Sequence, residues 1–149
     1  MNIFVKITTL LSGLLLVRFV ISKFFAWPIS VQAFIEMAKP MGIDPTFFRL
    51  FTGVIILIAC VGFFISFYLL IRGRVKTQSK ELIYTAFFYL YGIGAMTGAL
   101  LAEFLLRDQP KMPLVIIALF ILITSTINLL NLRKYNILSS LKSLSSSKK

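Results

Sequence analysis

Residues 50–71 read LFTGVIILIACVGFFISFYLLI, and this stretch decides the fold. A helix of about 20 predominantly apolar residues crosses a ~30 Å hydrocarbon core, and the run meets that length. Gly, Ser and Thr are scattered through it without the period-two alternation that a membrane barrel strand requires. Backbone N–H and C=O groups in lipid must be satisfied within their own segment, so the run is helical by necessity. Working outward from it, Ile7–Ser22, Leu82–Leu106 and Pro113–Leu132 form three further long apolar stretches. Apolar residues make up 58% of the chain, and the mean hydropathy is +0.93, values foreign to soluble domains of this size. The expectation is an all-α integral membrane protein, a four-helix bundle occupying residues 1–138.

The first apolar run has a weak charged start at Lys6. No small-x-small cleavage site follows it before Lys23-Phe24-Phe25, so it is expected to be a retained helix and not a leader. Between the first two spans, Trp27–Arg49 is the only sizeable non-membrane piece. Pro28 is suited to start a short helix running to Lys39, with Val31, Phe34, Ile35 and Ala38 on one apolar side. Lys39-Pro40 and Gly42-Ile43-Asp44-Pro45 supply the turn chemistry that ends it. A short amphipathic helix lying in the membrane interface, anchored by Trp27, is expected there. The Ser/Lys-rich residues 139–149 read as a disordered basic cytoplasmic tail.

The chain carries 16 Lys+Arg against 5 Asp+Glu. These basic residues flank the spans and lack any RNA-binding signature, which points to the lipid bilayer and away from nucleic acid as a partner. Arg72, Arg74, Lys76 and Lys80 crowd the link between the second and third spans. Lys6 and five basic residues from Arg133 onward lie on the same side. The opposite side has half as many, partly offset by acids. The positive-inside rule then places both termini in the cytoplasm and the 27–49 segment outside.

Histidine is absent and Cys60 is the only cysteine. That removes His-ligated haem, Cys/His zinc sites and an internal disulfide relay. Cys60, in mid-span, suits a helix interface. No metal cluster, nucleophile–base pair or phosphate loop can be assembled, so no catalytic residue is assigned.

Charges inside the membrane are the clearest candidates for a site. Arg18 and Lys23 in the first span and Glu103 in the third all fall near the outer third of the bilayer. A charge at mid-bilayer costs on the order of 3 kcal/mol, so such groups face the bundle and pair, or snorkel to the interface. The functional reading is an outward-facing polar pocket in which Arg18 and Lys23 hold an anionic group against Glu103. In the third span, Gly94-x-x-x-Gly98 offers a flat strip for close helix packing, either within the bundle or in a homodimer. Thr124, Asn128 and Asn131 share a face of the last span, suited to interhelical hydrogen bonds or to a small headgroup or quinone pocket. Phe87, Phe88, Tyr89 and Tyr91 offer surfaces for packing, for lipid, or for a flat ligand such as a quinone.

Gly13 and Lys23 in the first helix, the Phe/Trp/Pro stretch after it, Met41-Gly42-Ile43 and Gly53 together give a layout that resembles the DoxX-like family of small bacterial four-helix membrane proteins. The resemblance covers most of Leu10–Leu130. Two positions depart from it: Thr9 stands where an Arg is frequent, and Ile56 where a carboxylate is common. The resemblance implies a setting in membrane redox systems, of which a thiosulfate:quinone oxidoreductase is one, or in assembly. The trimeric glutathione-using membrane transferases share the size and charge, but their Arg/His/Asn/Glu signature is missing. A small multidrug transporter would place an acid in the first helix, where Arg18 stands. The expected function is that of a non-catalytic accessory or assembly subunit of a membrane redox or envelope complex, with a membrane protein as partner. The alternative is a quinone- or lipid-binding oxidoreductase subunit.

Overall fold

The computed structural model describes residues 3–76 and 79–146, with side chains described as far as residue 134. Among the described residues five α-helices follow one another: α1 (Ile3–Phe24), α2 (Pro28–Ala38), α3 (Pro45–Ile71), α4 (Lys80–Leu105) and α5 (Met112–Ser146). Four of these, α2 being the exception, are long and apolar enough to cross a membrane. The chain is thus a small multi-pass membrane protein, and its lipid-facing surface carries exposed apolar side chains such as Leu14, Val54, Val61, Leu90, Ile116 and Ile123.

Local chemistry sets the helix ends. Ala26 adopts φ 51°, and the Trp27 N–H turns back to the Ser22 carbonyl at 3.1 Å, closing α1 with a left-handed residue that is usually glycine. Pro28 opens α2, a single 3₁₀ turn (Lys39–Met41) follows it, and Gly42 at φ 64° reverses the chain. The Asp44 carboxylate then accepts the Phe47 N–H at 2.7 Å and caps α3, with Pro45 in its first turn. Ser79 caps α4 in the same way, accepting from the Leu82 N–H at 3.2 Å. The α5 backbone stays helical to Ser146, so an unstructured tail does not begin at residue 139. Residues 147–149 of that expected tail lie outside the described residues.

The spans form a four-sided ring in which α1 packs on α3 and α5, and α4 packs on α3 and α5. Neighbouring spans run antiparallel, as short connections require. Val5, Leu16, Ala59, Phe63, Tyr89 and Ile121 fill the centre. Two glycines sit where a neighbouring helix presses close. A Cβ on Gly62 would collide with the Phe88 ring, and one on Gly92 would lie 2.7 Å from Phe63 Cζ. Gly94 and Gly98, expected as the packing strip, have no atom within 4 Å of a Cβ position. No close helix contact forms at them within the bundle.

Helix α2 covers one end of the ring. Its buried residues are Ser30, Ala33, Phe34, Met37 and Ala38, so its inward face is turned from the one read in the sequence. Phe34 and Ala38 point inward as expected, whereas Ile35 is exposed and Val31 half-buried. Phe34 meets Phe48 of α3 edge-on, with ring centroids 5.2 Å apart. The helix therefore caps the bundle in addition to presenting an apolar outer side.

Candidate functional site

Beneath α2 lies a cavity of about 680 Å³, reached by all five helices. Its walls are predominantly apolar: Leu16 and Phe19 from α1, Phe51 and Ile55 from α3, Ala95 and Met96 from α4, Ile117 from α5. Tyr91 forms part of its floor and donates a hydrogen bond to the Ile55 carbonyl at 3.2 Å. Gly94 and Gly98 line it too, so their missing side chains widen the cavity.

The three charged residues picked out in the sequence all border this cavity, but they play different parts. Glu103 is buried and already engaged. Its Oε1 accepts from Arg107 Nη1 at 2.8 Å and from the Lys111 backbone N–H at 2.7 Å. Arg107 also pairs with Glu36 of α2 at 2.9 Å. Together these bonds latch the α2 cap to the ends of α4 and α5. Arg18 is exposed at the rim. Lys23 is the exception: only 8% exposed, it lines the cavity with its ammonium 4.7 Å from the centre of the Phe34 ring. Among the described residues no carboxylate stands within salt-bridge distance of it.

Sequence reading missed two partners of this end. Arg49 is buried and donates to the Lys23 backbone carbonyl. It tethers α3 to the last turn of α1, where Gly53 also lets Lys23 approach. Ser30 is buried with an Oγ that has no hydrogen-bond partner, and it too lines the cavity. A lone serine on a short helix carries no sequence signal; only the rotation of α2 reveals it.

A second polar cluster occupies the opposite half of the bundle. Asn128 of α5 donates to Thr8 and Thr9 of α1 at 3.0 and 3.3 Å. The Thr9 hydroxyl lies 2.5 Å from that of Tyr89 on α4. Ser12 and Thr124 approach to 3.4 Å. Thr124 and Asn128 therefore serve interhelical bonding, while Asn131 is only half-buried and outside the network. Cys60 is buried, its Sγ 3.5 Å from the Gly13 carbonyl at the α1–α3 seam. Among the described residues no group of three or more His, Cys, Asp or Glu side chains assembles to hold a metal ion.

The arrangement is suited to holding a molecule with an apolar body and a hydrogen-bond-accepting or anionic head. Among the described residues no nucleophile stands beside a base at this site. Comparison of the chain with known protein families, with curated proteins and with solved structures finds no match.

Proposed function

We propose that this chain is a small inner-membrane protein of the DoxX-like type that holds an amphiphilic molecule beneath its α2 cap. It serves as a non-catalytic accessory subunit of a membrane redox or envelope complex. The observation that carries the reading is the 680 Å³ apolar cavity with the buried Lys23, which makes no salt bridge among the described residues, at its capped end. A cavity of this size with few polar groups matches the ordinary dimensions of a small-molecule site. An ammonium kept out of water is costly unless something compensates it, and an electron-rich head does so. The carboxylate frequent in the family is replaced by Ile56, which lines this same cavity, so Lys23 has no salt-bridge partner from α3. An isoprenoid quinone or a lipid fits the same walls, and either would bring the protein to redox or envelope partners as cargo holder or sensor.

Affinity purification from native membranes in mild detergent, followed by mass spectrometry of both lipids and proteins, tests the proposal. The expected eluate contains a stoichiometric amphiphile, together with a redox or envelope protein. A ligand-loaded bundle without any protein partner would remove the accessory role and leave a ligand-handling protein acting alone. A bundle with no bound amphiphile would refute the reading.

A further inference from the structure

The head of the cavity discriminates between classes of amphiphile, given the reading above that an amphiphile occupies it. Lys23, Arg49 and Arg107 are all buried at this end. Against them stand Glu103, buried, and Glu36, half-exposed. Both carboxylates are taken by Arg107. Three buried cations against two carboxylates leave one net positive charge at this end. Neither carboxylate bonds to Lys23, although Glu103 shares the cavity wall with it, and of the three buried cations only Lys23 lines the cavity. Ser30, also in the lining, offers a buried hydroxyl with no partner. A quinone carbonyl would accept hydrogen bonds but would leave the charge uncompensated. A phosphodiester does both, because its oxygens accept from an ammonium and a hydroxyl while carrying the opposite charge.

The way in is on the same side of the bundle. Tyr91 to Ile55 is the one side-chain hydrogen bond that joins α3 and α4 among the described residues, and the glycine contacts between these helices lie next to it, at Gly92 and Phe63, and beyond it from the cap, at Gly62 and Phe88. Between Tyr91 and the cap, α4 presents Gly94 and Gly98, both exposed and with open space at their Cβ positions. Such a gap at membrane depth admits a hydrocarbon chain directly from the bilayer.

We propose that the cavity seats an anionic phospholipid. Its phosphate is received by Lys23 and Ser30, and one acyl chain enters between α3 and α4 along Gly94 and Gly98. The test uses the full chain in neutral detergent, with binding measured by native mass spectrometry for four probes: dioleoyl phosphatidylglycerol, dioleoylglycerol, ubiquinone and inorganic phosphate. Phosphatidylglycerol is expected to bind at least about tenfold tighter than dioleoylglycerol, the gain ordinarily given by charge-assisted hydrogen bonds. Lys23→Gln should reduce that ratio to about twofold or less, and Ser30→Asp should lower it by repelling the phosphate, which keeps the test decisive if one variant does not fold. Gly98→Phe should weaken both diacyl probes alike. Dioleoylglycerol or ubiquinone binding as tightly as phosphatidylglycerol would overturn the proposal, as would an unchanged ratio in Lys23→Gln. Inorganic phosphate competing as well as the lipid would reduce the site to a simple anion site and overturn the lipid assignment. Failure of all four probes would instead refute the amphiphile reading on which the proposal rests.

Discussion

Arg107 shows how much one side chain can hold at the end of a membrane bundle. Its guanidinium bonds Glu103 of α4 and Glu36 of the cap, so truncating it leaves one buried carboxylate without a counter-charge and with only the Lys111 N–H as donor. Arg107→Ala is expected to cost on the order of 3 kcal/mol, as breaking a buried pair does. Glu36→Gln should cost no more than about 1 kcal/mol, because that carboxylate is half in solvent. Thermal unfolding in detergent checks both, and equal losses would contradict the division of roles. Ala26 gives a residue-scale prediction of the opposite sign. Its φ of 51° places a Cβ in the left-handed region, so Ala26→Gly should stabilise the fold by about 1 kcal/mol in the same assay.

At the scale of helices, glycines separate contact from open space. Gly62→Ala and Gly92→Ala push a methyl group into Phe88 and Phe63 and should each cost about 1–3 kcal/mol. Gly94→Ala and Gly98→Ala meet nothing and should be neutral or stabilising by up to about 1 kcal/mol through helix propensity. The reverse ranking, measured by thermal unfolding, would mean that the α4 strip is the true packing surface. These four positions also show what the sequence could and could not disclose. Span length and apolar continuity are local properties, so all four membrane helices were legible, as was the Pro28 start of α2; Asp44-Pro45 read only as turn chemistry, whereas it opens α3 ahead of the apolar run. A G-x-x-x-G spacing reports only that a helix has a flat strip; whether a neighbour reaches it depends on how the spans tilt, which local pattern does not encode. The face of α2 was half legible for the same reason. Both Ile35 and Met37 are apolar, and only the position of the bundle beneath decides that Met37 turns inward. Lys23 and Glu103 stood out because charge in a span is rare, but Glu103's commitment to Arg107 and to the Lys111 N–H depends on where the α4–α5 turn folds back.

For the whole molecule, the imbalance of basic residues predicts which end faces the cytoplasm. Lys76→Cys should be shielded from a membrane-impermeant thiol reagent in intact cells, and Gln32→Cys, exposed on the cap, should react; buried Cys60 contributes no background. The opposite pattern would invert the bundle and put the capped cavity inside. The two ends also differ mechanically. The Asn128–Thr8–Thr9–Tyr89 bonds and the Gly62 and Gly92 contacts clamp one end, so movement at the other is a swing about that clamp. From Gly92 to Glu103, α4 is a lever about 16 Å long at 1.5 Å per residue, and a swing of about 5° moves its tip by ~1.4 Å. The Arg107–Glu36 bond sits near that tip, where it resists such a swing at the greatest leverage. A modest change in what fills the bundle would therefore be felt first, and most strongly, as tension on the α2 cap.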